Sequence, residues 1–310
     1  MSEYLGAQTL SDLPLYIAVR PTRLRLQRIF FALSVIIPAL GAVAAVIVSL
    51  RVGFSWVEPV TFLVMLVITG LGIEAGYHRL FSHGSWKTIP LIRMLLAIGG
   101  NMAVQGPILY WVAHHRLHHP NADTPLDPHS PLKHPSGGVA GFMHAHVGWF
   151  FSGNRASPGR FARDLLNDKT IMMVNRLNVL WLFLTLALPA AIGGIGTLSL
   201  KGALVGMLWG GFFRTFFGQH FTYFINSVCH VFGTKPYLSQ DNAGNVWWLV
   251  IPTFGAGLHN NHHAFPGSAS YSFRWWHLDL SGLFIRGLER LGLACDLKCP
   301  PEQLIKRKVI

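Results

Sequence analysis

Charge is scarce in this 310-residue chain. Only 12% of residues are Asp, Glu, Lys or Arg, while 51% are hydrophobic. A soluble domain of average composition carries about 25% charged residues. The deficit excludes a disordered chain and does not suit an ordinary cytosolic globule. Cysteine is scarcer still. Cys229, Cys295 and Cys299 have neither zinc spacing nor a disulfide framework, and no cysteine cluster is present to ligate an iron–sulfur centre. No G-x-G-x-x-G stands at a strand-to-helix turn, so no flavin or nicotinamide site is offered. There is no internal repeat. Acids number 13 against 25 bases, a net charge of +12. The bases form no stripe with interleaved aromatics, which argues against a nucleic-acid partner.

What remains is an integral membrane protein. A span needs about 20 mostly apolar residues, and four stretches qualify: 29–50, 54–77, 178–200 and 202–224. Tight turns at Arg51–Gly53 and Ser199–Gly202 join them into two hairpins. The first 28 residues lack the apolar core of a cleavable signal peptide. Four spans put both termini and the middle segment on one side. Of the 25 bases, all but Arg51, Lys201 and Arg214 fall there, so that side is expected to be cytosolic. The apolar stretch Thr88–Val112 holds Arg93, Asn101, Gln105 and Pro107, and reads as one amphipathic helix lying on the bilayer. Pro120–Gly141 reads as a long loop. The expected architecture is a single all-α domain over 1–310, with four membrane helices and a cytosolic helical part.

The 16 histidines outnumber the acids, and they come in runs. His78 and His83 close the second span. His115, His118 and His119 follow, then His259, His262 and His263. The last two runs have the i, i+3, i+4 spacing that puts three imidazoles on one helical face, and Pro120 and Pro266 are expected to stop those helices. His78 and His83 are five apart, so a regular helix cannot aim both at one point; a helix end or kink is needed. Asn226 and His230 are i, i+4 at the end of the fourth span. All four groups fall on the same side at the same depth. Imidazole is the commonest metal ligand, and this many exceed one ion and imply two. Glu74, Asp123 and Asp127 stand nearby as candidates to orient ligands.

These residues resemble the membrane fatty acid desaturase family, particularly its acyl-CoA Δ9 type, whose signature is HxxxxH, HxxHH and HxxHH in this order. All three boxes match, as do the words Asp127-Pro-His129-Ser, His146-Val-Gly-Trp149, Asn226-Ser-x-x-His230 and His263-Ala-Phe-Pro266, over about residues 30–300. The resemblance implies a di-iron centre held by His78, His83, His115, His118, His119, His230, His259, His262 and His263, with Asn226 reaching a metal through water. It implies a bent substrate tunnel lined by Gln105, Trp111 and Thr222. The implied reaction takes O2 and two electrons and removes two vicinal hydrogens from an acyl chain. Zinc is a plausible substitute metal, since imidazole sites favour it over Fe(II).

The chain departs from the animal enzymes where those grip CoA: the four corresponding positions are Ala113, His114, Gly153 and Asn154. The carrier of the acyl chain is therefore open between CoA, acyl carrier protein and a membrane lipid, with the last two favoured. Arg155, Arg160 and Arg163 read as a solvated or headgroup-facing basic loop. Electrons must come from a separate donor such as ferredoxin, cytochrome b5 or a reductase. A bacterial inner membrane is favoured over the endoplasmic reticulum. A hydroxylase or acetylenase on the same scaffold is the runner-up, and a metal transporter or haem protein a distant third. His114, His129, His134, His144, His146, His220 and His277 are left outside the ligand set. His129 and His146 are read as packing or ligand-orienting groups, and His220 as hydrogen-bonded to a neighbouring helix.

Overall fold

A computed structural model describes residues 13–132 and 137–310; His134 lies outside them. The described chain is mostly helical, with two antiparallel strand pairs of two residues each. Three helices are long and apolar enough to cross a membrane: α1 (Pro21–Val52), α2 (Val57–Ser82) and α7 (Asn178–Thr197). Their outward faces stay apolar, as at Leu40, Leu50 and Val179, which only a hydrocarbon solvent favours.

The expected span at 202–224 is helical too. It lies in α8, a run over 200–227 that includes a π stretch at Met207–Phe213. Its apolarity falls short of the other three because Arg214, Gln219 and His220 interrupt it. Arg214 and Gln219 are buried against other helices. Arg214 Nη1 donates to the Met102 carbonyl, and Gln219 Nε2 to those of Ser34 and Val104.

The two expected turns are present but shifted, since Arg51 and Val52 stay in α1 and Leu200–Gly202 open α8. Gly53–Trp56 joins α1 to α2, and Leu198–Ser199 joins α7 to α8. The first is pinned by Glu58, which accepts from the Ser55 amide at 2.9 Å and from Ser49 Oγ at 3.1 Å. In the second, an added Cβ on Gly193 would lie 2.1 Å from the Gly202 carbonyl oxygen. Small residues thus let these backbones touch.

Residues 88–112 do not form the single helix expected. α3 (Pro90–Met102) and α4 (Ile108–Asn121) are separated by a turn. Val104 and Gly106 there take φ of 60° and 99°, and Pro107 restarts the helix. Nor does α3 simply lie on a surface: Gly99 and Gly100 pack against Gly72 of α2. The break lets α4 carry the second histidine box back over the end of α2. Ile108, Val112 and Leu117 join Ile73, Tyr77 and Phe81 in one core. Arg116 then caps that end, donating to the Phe81 and Ser82 carbonyls. Pro120 sits inside the last turn of α4 and does not stop it; the helix ends one residue later.

The short helix α5 (Gly138–His146) packs on α8. α6 (Lys169–Arg176) leads into α7. The third box is a short helix, α9 (His259–Ala264), ending before Pro266 as expected, and α10 (Leu280–Arg290) closes the end of α2.

The α2–α3 contact is testable. A Cβ on Gly72 would lie 2.3 Å from the Gly100 nitrogen and the Gly99 carbonyl carbon, both backbone atoms that cannot rotate away. Gly72→Ala should cost about 1–3 kcal/mol. Gly287→Ala, with nothing within 4 Å, should be neutral or gain up to about 1 kcal/mol. Thermal unfolding in detergent compares them; equal melting points would contradict the packing account.

Candidate metal centre

The five-residue spacing of His78 and His83 is solved by the backbone. Residues Gly72–Ser82 are π-helical, so each turn takes in an extra residue. The His83 amide donates to the His78 carbonyl at 3.2 Å, and the two imidazoles lie with ring centroids 5.0 Å apart. The helix also ends here, with His83 at its C-cap, as the spacing required.

The nine expected histidines converge, but not as the boxes are written. Nitrogens of His78, His83, His115, His119 and His262 lie within 4.8 Å of one another, and so do those of His118, His230 and His263. His259 joins the second group, its Nε2 3.0 Å from that of His230. Each HxxHH box is therefore split. In α4 the i, i+4 pair His115 and His119 faces one group while His118 faces the other; in α9 the pair His259 and His263 faces the second group and His262 the first. The helical face that each box shares therefore serves two points and not one. A turn of 3.6 residues puts i and i+4 on one line and i+3 about 60° round the helix. The groups adjoin, with the His119 and His263 rings stacked at 4.8 Å.

Four of these rings are fixed by buried carboxylates. His78 Nδ1 meets Glu74 at 2.8 Å, His118 Nδ1 meets Asp127 at 3.0 Å, His230 Nδ1 meets Asp123 at 3.2 Å and His263 Nδ1 meets Asp241 at 2.6 Å. A carboxylate accepts only, so each Nδ1 carries a proton, and Nε2 is the atom left to offer a lone pair when the ring is neutral. Those lone pairs point inward. His78 Nε2 lies 3.0 Å from His262 Nε2, and His263 Nε2 is buried with no partner. Burial first, and then the neighbouring imidazoles, push His83, His115, His119, His259 and His262 far below the usual histidine range. Neutral nitrogens crowded without protons between them fit a bound cation and little else.

Asp123 and Asp127 orient rings as the sequence suggested, and so does Glu74. Asp241 was missed. It lies 22 residues before His263 in a loop, where no local spacing marks it. Also missed were Asn260 and Asn261, the inner letters of the third box, both fully buried. They tie α9 to Asn245, Tyr237 and Tyr271. Arg79, inside the first box, bonds both Glu74 and Asp279 and stacks over Tyr271 at 3.9 Å.

Among the histidines left outside the set, the His129 ring lies tilted against that of His118 at 4.4 Å, and His146 bonds His220 at 3.0 Å and Ser227 at 3.1 Å. His220 thus meets α5, the neighbouring helix expected. His114 bonds the Tyr110 carbonyl and accepts from the Ala156 amide. His277 bonds Asn261, and His144 bonds the Pro128 carbonyl.

A cavity opens beside the two groups. His78, His115, His118, His259 and Asn226 line one part of it. Gln105, Trp111 and Thr222 also line it. Gln105 donates to Thr222 Oγ1 at 2.9 Å and accepts from Trp111 Nε1 at 3.4 Å. The three polar side chains thus satisfy one another, and what faces the cavity is largely hydrocarbon, as with Ile73, Ile225 and Phe254.

Apolar spanning helices, a buried polyhistidine cluster at their ends and an apolar cavity beside it define a class: a membrane protein with a metal centre set against a hydrocarbon-shaped site. The family model for fatty acid desaturases matches residues 54–282. The chain is 41% identical to a hex-5-enoyl-[acyl-carrier protein] acetylenase of Moorena producens, covering 91% of this chain and 90% of that one. It is 37% identical to an sn-1 stearoyl-lipid 9-desaturase of Synechocystis, covering 82% and 76%. It is 36% identical to an acyl-CoA C20 Δ5-desaturase of Anemone leveillei, covering 83% and 78%. The chain belongs to the fatty acid desaturase family and is an oxidoreductase.

The buried charge network behind His78 yields a stability test. Arg79→Met strands the carboxylates of Glu74 and Asp279 in the interior and should cost about 3–5 kcal/mol. Denaturant titration measures it; a loss below about 1 kcal/mol would show that the ion pairs are not holding α2 to the C-terminal segment.

Proposed function

We propose that this protein desaturates an acyl chain, using O2 and two electrons delivered by a separate donor, at a di-iron centre held in the two histidine groups. The observation that carries this reading is the convergence of carboxylate-fixed imidazoles on two adjoining points at the wall of an apolar cavity. His78, His83, His115, His119 and His262 hold one ion. His118, His230, His259 and His263 would hold the other, with Asn226 on the same cavity wall.

An unactivated methylene has no acidic proton for a base to remove, and bound iron supplies the oxidant that such a C–H bond requires. The protein's own contribution is geometric. Glu74, Asp123, Asp127 and Asp241 keep Nδ1 protonated and hold each ring in place. Gln105, Trp111 and Thr222 bend the cavity and set which C–C bond stops beside the histidines. The apolar lining excludes water, which protects a reactive centre from side reactions. The substrate enters as an acyl chain on acyl carrier protein or lipid in preference to CoA, because Ala113 and His114 are buried and offer a CoA head group nothing to grip. The four helical runs α1, α2, α7 and α8 span the bilayer with the boxes on the cytosolic side. A ferredoxin, cytochrome b5 or reductase donates the electrons.

A second reading, acetylenation, has its own support: one relative of 41% identity is an acetylenase. Each outcome removes two hydrogens, desaturation from a C–C single bond and acetylenation from an existing double bond. Mass spectrometry of acyl products, after expression in a host making saturated chains, should show loss of two hydrogens per turnover. Alkyne formed from an alkenyl substrate would favour the second reading, and products gaining an oxygen would overturn both.

Metal analysis tests the centre directly. Carefully purified protein should carry two transition ions per chain, iron when active and zinc where overexpression has replaced it. His119→Ala and His263→Ala should each bring the count toward one. Asp241→Asn should weaken metal binding by about 10–100-fold by releasing the His263 ring. A wild-type stoichiometry of one, or unchanged binding in Asp241→Asn, would count against the assignment.

A further inference from the structure

One wall of the acyl cavity is shared with the lipid-facing surface. Leu66 and Gly70 of α2 and Gly218 of α8 line the cavity, and all three are only half-buried. Leu63 and Val67, beside them on α2, are exposed. A glycine in an apolar helix usually lets another backbone approach. Gly218 does not: an added Cβ there would meet nothing within 4 Å, so its missing side chain leaves room. Farther from the histidines, Phe62 of α2 closes on Phe217 of α8, with ring centroids 5.3 Å apart. Toward the histidines the cover is a single side chain. The Phe254 ring rests on Gly70, where an added Cβ would lie 2.2 Å from it.

Phe254 is held under strain. It lines the cavity and takes φ of 56°, a region that a bulky side chain enters only under constraint. Its amide donates to the Ile251 carbonyl and its carbonyl accepts from the Ser281 amide of α10, each at 3.1 Å. Strain of this kind gathers at clamps and switches, and relaxing it offsets part of the cost of moving the ring. The segment before it is exposed and apolar at Trp247, Trp248 and Ile251. Trp248 meets Phe224 of α8 edge to face at 5.7 Å. Exposed tryptophans beside the end of a membrane helix mark the interface with the head groups. We infer that the acyl cavity is filled sideways from the bilayer, by the chain of a membrane lipid sliding between α2 and α8, with Phe254 as the door. This rests on the acyl-chain reading above and narrows it to a lipid-borne chain. Such a chain already lies in the leaflet, and its head group can stay at the tryptophans while the chain moves. The hydroxyls of Thr69 and Thr253 on the cavity wall are spent on the Met65 and Leu249 carbonyls, so they offer a passing methylene no unmet donor.

The test follows chain entry in the full-length protein reconstituted in nanodiscs that contain a phosphatidylcholine with a cis-parinaroyl chain. Trp111 lines the cavity, so energy transfer from it to the polyene, taken as the difference from Trp111→Phe, reports chains inside. The readout needs no turnover, so its failure is separate from that of the desaturase reading, which the product analysis tests. Loading from the disc should quicken about 10-fold in Phe254→Gly, which removes the door and adopts the left-handed angle freely. It should slow by about the same factor in Gly218→Leu, which fills the gap from the α8 side with no neighbour in the way of its Cβ. The same chain presented from water, as its thioester on acyl carrier protein, should load no faster in Phe254→Gly than in the wild type. Disc loading unchanged in both variants overturns the port. An equal gain for the water-borne thioester in Phe254→Gly overturns it too, because the ring would then be a wall common to every route. Should Phe254→Gly fail to fold, slowed disc loading in Gly218→Leu supports the port and unchanged loading overturns it.

Discussion

Everything in this protein depends on aiming imidazole lone pairs inward while their protons are held outward. A histidine offers a lone pair at Nε2 only if its proton sits on Nδ1, and in four rings a buried carboxylate keeps it there. The rest of the molecule positions those carboxylates. Glu74 comes one turn before its ring on α2. Asp123 and Asp127 come from the loop behind α4, and Asp241 from the loop before α9. Because a buried carboxylate is itself expensive, each needs further partners. Asp123 takes the Asn242 amide, Asp127 takes those of Asp123 and His129, and Glu74 takes Arg79. The demand spreads outward until Arg79 meets Asp279, which caps α10 through the Gly282 amide. A helix 200 residues away in sequence is thereby tied to the first histidine box.

The second constraint is hydrocarbon on both sides of the wall. A cavity that takes an acyl chain, as proposed above, favours polar side chains that are already paired, although Arg214 Nη2 on its lining has no partner. The trio of Gln105, Trp111 and Thr222 meets that demand by bonding internally. Paired in this way, they offer little to draw water into the cavity. Their place at the α3–α4 turn and on α8 also explains why that turn is strained: left-handed Val104 and Gly106 swing α4 back so that Trp111 and His115 reach the same cavity.

The histidine boxes were legible because metal ligation needs a particular residue type at a particular helical spacing, and both survive in the linear chain. The three apolar helices were legible for a similar reason, since a hydrocarbon solvent imposes length and composition on each separately. The π stretch at Gly72–Ser82 was not. The sequence signals only that His78 and His83 are mismatched to a regular helix; whether the backbone ends, kinks or widens depends on what packs against it, here Arg116 over the Phe81 and Ser82 carbonyls. The split of each HxxHH box was also hidden, because spacing gives a helical face but not the direction of the neighbours it faces. Asp241 carries no local mark at all.

By itself the sequence determined membrane residence, the candidate ligand residues and the family, since these follow from composition, periodicity and short motifs that each element carries alone. Tertiary structure decided how the nine histidines divide, which carboxylate fixes which ring, and where α3 gives way to α4. The physical reason is the range of the interactions. Apolar burial in lipid and i, i+4 spacing act within one helix, whereas a convergent lone-pair site and a shared buried charge exist only after distant segments have met.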